Sequence, residues 1–157
     1  MLETTGNLWT FHEEHFIVIP TNGIVTKAGK LVMGAGLALE ARERFPGLDT
    51  VLGSLVKRHG NVPVIVVGLG LGATSYRIAT FPTKHRWSDI YADLDLIERS
   101  ADHLCQLWEG KEQLIYLPMV GCGYGRLRWE EVRPILEKRL DDRFIVVIGD
   151  KRQEQAA

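Results

Sequence analysis

The chain has 157 residues, the usual size of one domain, and its composition of 45% hydrophobic and 25% charged residues is ordinary for a globular protein. A formal net charge of −1 excludes a general electrostatic attraction to nucleic acid or anionic membranes, so any nucleic-acid contact must be local. Two distant cysteines, Cys105 and Cys122, argue against a disulfide framework or a zinc site. Because the N-terminus lacks a signal-peptide pattern and no apolar run approaches the roughly 20 residues that span a membrane, we expect a cytoplasmic protein without membrane contact.

Strands and helices alternate along the chain in the hydrophobic pattern. Apolar, β-branched runs predict the strands, and apolar residues at helical spacing predict the helices between them. The predicted strands cover residues 16–19, 63–71, 76–81, 113–118 and 144–148, and the predicted helices cover residues 34–45, 48–59, 89–108 and 129–140. The second and third strands form a hairpin with a glycine-rich turn at 70–73. This order predicts an α/β protein with three layers, α/β/α, around a mixed central sheet. We expect one domain over residues 1–149 and a frayed polar tail over 150–157.

A glycine-rich loop at residues 121–125 is the most informative segment, because it lies between a predicted strand and a predicted helix. Ligands bind at such loops in α/β sheets, and its alternate glycines can adopt positive φ and approach a ligand closely. The N-terminus of the following helix offers N–H groups and a partial positive charge that suit phosphate. The loop therefore predicts an anion-binding site, in which Cys122 is a small residue that fits rather than a nucleophile. Its candidate ligand contacts are Val120, Gly121, Cys122, Gly123, Tyr124, Gly125 and Arg126.

A second glycine pair precedes the helix predicted at 34–45. Gly34 and Gly36 allow the same close approach, and the small side chain of Ala35 between them would not block it. The pair lacks the third glycine of the dinucleotide fingerprint, so a tight turn that starts a helix is an equal alternative. Two such loops in one small domain favour a diphosphate site more than either loop alone. The candidate contacts here are Met33, Gly34, Ala35, Gly36 and Leu37.

Asn22 lies just beyond the first predicted strand. Its amide can donate a hydrogen bond to a sugar hydroxyl and accept one from it. The alternative is a turn residue, since Asn-Gly is a common turn pair and Gly23 follows.

A basic segment follows the strand predicted at 76–81, where Lys84, His85, Arg86 and Trp87 are consecutive. A neutral lysine can attack a sugar carbon, and positive neighbours favour the neutral form. Trp87 could stack on a base, which makes His85, Arg86 and Trp87 candidate nucleic-acid contacts. The alternative is a basic, solvated loop with an aromatic anchor.

Taken together, these segments resemble the macrodomain family, an α/β/α fold that binds ADP-ribose, over residues 5–148. The matching segments are Gly6-Asn7-Leu8, Ile19-Pro20-Thr21-Asn22, Met33-Gly34-Ala35-Gly36, the loop with Lys84, and residues 118–129. Within the family, the chain is similar to a subclass that includes the DarG antitoxins and the terminal ADP-ribose protein glycohydrolases. That closer match is carried by Phe81-Pro82-Thr83-Lys84 and by Gly121-Cys122-Gly123 with Leu127 and Trp129.

The resemblance implies that Lys84 is catalytic and that Asn22 meets the distal ribose. It also implies that the two glycine loops hold the diphosphate and the distal ribose, without a metal or a cofactor. The further ligand contacts that it implies are Asn7, Leu8, Thr21 and Thr83.

Two positions depart from the family pattern. Asn7 stands where many macrodomains have an aspartate that reads the adenine amine, and Gly125 stands where the glycohydrolase has an acid. A glycine-type loop at the second position is also found in DarG-like sequences. DarG carries a further C-terminal domain that restrains its toxin, and we do not expect one within these 157 residues.

The sequence thus predicts an ADP-ribosyl hydrolase that removes ADP-ribose from modified DNA or protein. Arg126 and Arg128, with the basic segment at 84–87, would give a local nucleic-acid contact. The alternatives are a reader of ADP-ribose without turnover, and a hydrolase of a free derivative such as the 1″-phosphate or an O-acyl ester. We expect a monomer, and pairing with an ADP-ribosyltransferase toxin would fit the DNA substrate.

Overall fold

A computed structural model describes residues 1–69 and 75–149 of the chain. Six strands and five helices lie within these residues. The strands are β1 (Leu2–Thr5), β2 (Phe16–Thr21), β3 (Ile65–Leu69), β4 (Ser75–Pro82), β5 (Ile115–Leu117) and β6 (Phe144–Ile148). The helices are α1 (Leu8–His12), α2 (Gly36–Arg44), α3 (Leu48–His59), α4 (Leu94–Leu107) and α5 (Trp129–Glu137). The turn predicted at 70–73, the end of the strand predicted at 63–71 and the tail predicted at 150–157 lie outside the described residues.

One mixed sheet contains all six of these strands in the order β1-β6-β5-β2-β4-β3. Neighbouring strands are parallel except for β3, which pairs antiparallel with β4 at the edge. The central strand β2 sets the register, since Ile17 pairs with Tyr116 of β5 on one side and with Ile78 of β4 on the other. The predicted mixed sheet is confirmed.

Alternate residues of β2 enter two separate hydrophobic clusters. Ile17 and Ile19 are fully buried among residues of α1, α2 and α3. Val18 is fully buried in the other cluster, with residues of α4 and α5. Because successive side chains of a strand point to opposite faces, the helices cover both faces of the sheet. The predicted three-layer α/β/α architecture is therefore confirmed.

Helices α4 and α2 begin later than predicted. Helix α4 begins at Leu94 rather than at residue 89, because the Asp93 side chain accepts hydrogen bonds from the N–H groups of Asp95 and Leu96. Helix α2 begins at Gly36 rather than at residue 34, and Ala35 provides no capping side chain. Strand β2 continues to Thr21, two residues beyond its predicted end, because it pairs with β4 from Ile17 to Thr21.

The N-terminal elements β1 and α1 were not predicted. Strand β1 ends at Thr5, and Gly6 and Asn7 form the turn into α1, which begins at Leu8. Gly6 has a φ of +138°, a conformation that favours glycine. The Asn7 side chain caps α1 by accepting a hydrogen bond from the Trp9 N–H at 2.9 Å.

Among the helices in the described residues, none is long and apolar enough to cross a membrane. The longest, α4, has 14 residues and buries only one face, formed by Leu96, Ile97, Ser100, Ala101 and Leu104.

Candidate ligand-binding crevice

The two glycine loops follow β2 and β5, neighbouring parallel strands that send their chains to opposite faces of the sheet. After β2 the chain passes to α2 and α3 on one face, and after β5 it passes to α5 on the other. Strands β2 and β5 are adjacent and parallel, and the space between the loops at their carboxyl ends is called the crevice below. Such a switch point is where open α/β sheets bind ligands. The loop after β4, which carries Lys84, emerges at the same edge of the sheet.

The N-terminus of α2 forms one wall of the crevice. No side chain caps it, since Ala35 is its N-cap residue, so its first N–H groups are free for an anion. Gly34 has open space where a side chain would be, and Gly36 has a φ of +55°. Opposite Gly36 lies the exposed ring of Tyr124, whose Cδ2 is 3.3 Å from the position that a Cβ on Gly36 would occupy. The two glycine loops therefore face each other directly.

The loop after β5 forms the other wall, and its glycines have different roles. Gly121 has a φ of +77°, as predicted, whereas the expected positive φ at Gly123 and Gly125 is wrong. Gly123 is exposed with no atom within 4 Å of an added Cβ, so its backbone is open to a ligand. Gly125 is buried, and a Cβ there would lie 2.5 Å from the Gly121 carbonyl oxygen. Arg126, with a φ of 57°, is the residue that takes the left-handed conformation at the end of the loop.

Acidic residues make the N-terminus of α5 a poorer anion site than that of α2. Glu130 and Glu131 lie in its first turn, and the Glu131 carboxylate accepts a hydrogen bond from the Arg128 N–H at 3.2 Å. A phosphate at this end would meet two negative charges. The sequence predicted an anion site at the N-terminus of α5, but the N-terminus of α2 suits an anion better.

Lys84 is half-buried where β4 ends, and its main chain is fixed by hydrogen bonds. The Thr83 N–H donates to the Thr21 carbonyl at 3.0 Å, and the Thr83 carbonyl accepts from the Asp93 N–H at 2.9 Å. The Asn61 Nδ2 donates to the Lys84 carbonyl at 3.0 Å. Asn61 belongs to the connection between α3 and β3, and the sequence-based prediction missed it because it lies 23 residues away and in no motif.

The cationic neighbours of Lys84 are matched by carboxylates. His85 Nε2 lies 2.8 Å from Asp93 Oδ2, and Arg86 Nε lies 3.5 Å from Asp89 Oδ1. The hydrogen bond from His85 is the main cause that lowers the pKa of Asp93. These pairings reduce the positive field that the sequence suggested around the lysine.

Both asparagines of the predicted site hold the backbone. Asn22 accepts from the Ile24 N–H and donates to the Val32 carbonyl, each at 2.9 Å, and so ties together the two ends of the loop between β2 and α2. Asn7 caps α1 and its side chain is exposed. The turn alternative for Asn22 is therefore observed, and contact with a ribose stays a prediction for both residues.

Several predicted contacts are buried, main chain included, so a ligand has little access to them in this conformation. These are Leu8, Thr21, Met33, Thr83 and Val120, which are at most 8% exposed.

Cys122 is half-buried, and burial, together with the charges of Glu130 and Glu131, raises the pKa of its thiol to about 12. Its sulfur is therefore protonated at neutral pH, which agrees with its interpretation as a small loop residue rather than a nucleophile. Within residues 1–69 and 75–149, no three metal-binding side chains of His, Cys, Asp or Glu come together.

Curated relatives match most of the chain, although no protein-family model matches it. A DNA ADP-ribosyl glycohydrolase of Thermus aquaticus is 28% identical over 135 residues, which are 83% of this chain and 37% of that protein. A protein of the same name from Mycobacterium tuberculosis is 33% identical over 120 residues, 72% of this chain and 32% of that protein. The chain therefore spans about a third of the length of these relatives.

Solved structures match nearly the whole chain. The macrodomain of Thermus aquaticus DarG aligns with a TM-score of 0.69 and 26% identity over 95% of this chain and 97% of that one. The macrodomain of Mycobacterium tuberculosis DarG aligns with a TM-score of 0.71 and 24% identity over 94% and 95%. Thermosipho africanus DarTG, solved in complex with ADP-ribose, aligns with a TM-score of 0.72 and 18% identity over 94% of this chain and 40% of that one.

Proposed function

This chain is a macrodomain, and we propose that it binds ADP-ribose in the crevice between β2 and β5 and hydrolyses the bond that joins ADP-ribose to an acceptor. One observation carries the proposal most: the uncapped N-terminus of α2 faces the glycine loop at 121–125 across the switch point of the sheet. Free N–H groups at a helix start suit a phosphate, and the opposite loop brings exposed backbone at Gly123 to the same crevice.

We propose that Lys84 acts on the ribose beyond the diphosphate, because its loop follows β4 at the same edge of the sheet as the two glycine loops. Hydrolysis breaks the bond between C1″ of that ribose and the acceptor, and water supplies a hydroxyl to C1″ and a proton to the acceptor. In one route, neutral Lys84 Nζ bonds to C1″ while the acceptor leaves with the electron pair of the broken bond and takes up the proton lost from Nζ. Water then displaces the lysine and releases ADP-ribose. In the other route, protonated Lys84 donates a hydrogen bond to the departing acceptor.

The favoured substrate is ADP-ribosylated DNA, because curated relatives at 28% and 33% identity carry the name DNA ADP-ribosyl glycohydrolase. We propose further that the protein acts as a cytoplasmic monomer and pairs functionally with an ADP-ribosyltransferase toxin.

Gly125 supports a second candidate function, a reader that binds ADP-ribose without turnover. The tight packing at Gly125 leaves no room for an acid in this conformation.

Parallel incubation with three substrates tests the proposal. The chain is mixed with ADP-ribosylated DNA, ADP-ribosylated protein and an O-acyl ester of ADP-ribose, and released ADP-ribose is measured by mass spectrometry. We expect release from the DNA. Release from the protein or the ester alone would move the activity to that class. Binding of ADP-ribose without release from any of the three would make the chain a reader.

A further inference from the structure

An exposed apolar turn lies beside the proposed site, in the connection between β4 and α4. Trp87, Ile90 and Tyr91 are 61%, 63% and 61% exposed, although they lie within five consecutive residues. Isolated exposed apolar side chains are normal on a protein surface, but three large ones together mark an interaction site. We refer to residues 86–91 as the apolar turn.

The apolar turn is held firmly at both ends. At its start, the His85 carbonyl accepts a hydrogen bond from the Gly23 N–H at 3.1 Å. At its end, the Ala92 N–H donates to the Gly125 carbonyl at 2.9 Å, and Ala92 packs against the glycine loop. Within the turn, the Asp89 side chain accepts from the Arg86 N–H at 3.0 Å. Its exposed side chains are thus carried by a backbone anchored to both loops of the crevice.

Three exposed arginines, two of them paired with carboxylates, lie in the loops at the same edge of the sheet as this turn. Arg86 pairs with Asp89 yet remains 70% exposed, and Arg126 and Arg128 are exposed where the glycine loop ends. Flat aromatic side chains beside arginines suit a single strand of nucleic acid, because bases stack on the rings and phosphates lie against the cations. A duplex fits less well, because its bases are already stacked on one another.

From this juxtaposition we infer that the apolar turn binds the unpaired bases that flank the modified nucleotide in single-stranded DNA. The inference rests on the proposed function, since the nucleotide attached to the distal ribose leaves the crevice past Lys84 and next to the apolar turn. Selectivity for a DNA strand over a lone nucleotide would come from Trp87 and Tyr91, not from the glycine loops.

The test compares Trp87→Ala and Tyr91→Ala with wild type on an ADP-ribosylated single-stranded oligonucleotide and on an ADP-ribosylated mononucleotide. Stacking contributes about 1–3 kcal/mol per base, so kcat/KM on the oligonucleotide should fall by roughly 5- to 150-fold. On the mononucleotide it should stay within two-fold or so. Leu69→Ala is the matched control, because Leu69 is 76% exposed on the edge strand β3, and it should change neither value.

Direct binding separates this inference from the proposed function. Fluorescence anisotropy with an unmodified single-stranded oligonucleotide should show weaker binding by both variants than by wild type and Leu69→Ala, even when no substrate is turned over. Equal oligonucleotide binding by all four proteins would overturn the inference. An equal loss of activity on the two substrates would overturn it too. ADP-ribosylated protein is assayed with the same variants, and a loss confined to that substrate would overturn the inference and make the turn a protein-docking surface.

Discussion

Side chains from two distant parts of the chain, helix α4 and the connection between α3 and β3, support the backbone around Lys84. Ser100 Oγ donates to the Pro82 carbonyl at 2.8 Å, and Asn61 Nδ2 donates to the Lys84 carbonyl at 3.0 Å. Ser100 is buried and Asn61 is half-buried, so neither hydrogen bond is freely exchanged with water. The lysine backbone is therefore fixed on both sides of residue 83, which is what a positioned catalytic group requires.

Lys84→Ala should abolish release of ADP-ribose from the substrate while the affinity for ADP-ribose stays within a few-fold. The reason is that the side chain acts on the reacting carbon or on the departing group, and the main-chain groups of the loops hold the ligand. Lys84→Arg decides between the two routes, because arginine remains protonated and cannot attack. It should not restore activity if the lysine attacks. Lys30→Ala, a change of an exposed lysine in the loop after β2, is the control. Turnover by Lys84→Ala at the wild-type rate would exclude the lysine from the mechanism.

Asn61→Asp should lower kcat by about ten-fold or more, with ADP-ribose affinity nearly unchanged. The substitution keeps the shape of the side chain but removes the donor to the Lys84 carbonyl, and small displacements of a catalytic group cost up to about 10²-fold in rate. Gln106→Glu, an exposed amide-to-acid change on α4, controls for the added charge. A fall in affinity and kcat by the same factor would instead indicate a general loss of structure.

At the scale of elements, the helices and strands with strong apolar periodicity were predicted from the sequence, and those stabilised mainly by partners were not. Helix α3 and strand β6 have the predicted boundaries because their patterns and stop signals are local. Strand β1 has four residues, mostly exposed, and it is stabilised by pairing with residues of β6 that lie 143 positions further along the chain. Helix α1 has five residues, too few to be helical without tertiary packing.

The glycine loop offers a matched pair of substitutions. Gly125→Ala should destabilise the protein by about 1–3 kcal/mol, because the new Cβ would lie 2.5 Å from the Gly121 carbonyl oxygen. Gly123→Ala should leave the free energy of unfolding within about 0.5 kcal/mol, because no atom lies within 4 Å of its Cβ position. Chemical denaturation measures both. Equal stability of the two variants would mean that the loop does not have this conformation.

His12, the last residue of α1, should make the free energy of unfolding depend on pH. The imidazole is buried and accepts a hydrogen bond from the Arg77 N–H at 3.2 Å, while burial, Arg77 and Arg44 lower its pKa. In the unfolded chain His12 takes up a proton near pH 6.5, whereas in the folded protein it stays neutral to lower pH. The contribution of neutral His12 to the free energy of unfolding is therefore fully present above pH 6.5 and is lost as the pH falls below it.

Urea unfolding between pH 7.5 and 5 should show this loss, with a slope of at most about 1.4 kcal/mol per pH unit from this group. His12→Gln keeps an acceptor for Arg77 without a titrating group, so its stability should fall less over the same range. His59→Gln, at an exposed position, should behave like wild type. The same slope in all three proteins would contradict a role for His12.

At the scale of the whole molecule, the three-layer class follows from the alternation of strands and helices, but the strand order does not. Placing β2 between β5 and β4 depends on which side chains pack across the sheet, and periodicity within each segment carries no such information. The two glycine loops were predicted because their composition is unusual in itself. The role of Asn61 became apparent only when the fold brought it next to Lys84.

The central claim is that the crevice between the glycine loops binds ADP-ribose, and calorimetric titration of the chain with ADP-ribose tests it most directly. We predict one site per chain, with the same affinity in the presence of a chelator. Gly123→Val should weaken that affinity by ten-fold or more, about 1.4 kcal/mol, at unchanged thermal stability. Gly123 is exposed with no atom within 4 Å of its Cβ position, so the protein tolerates the branched side chain, which would then occupy space proposed for the ligand. No binding by wild type at millimolar ADP-ribose, or wild-type affinity in folded Gly123→Val, would contradict the claim.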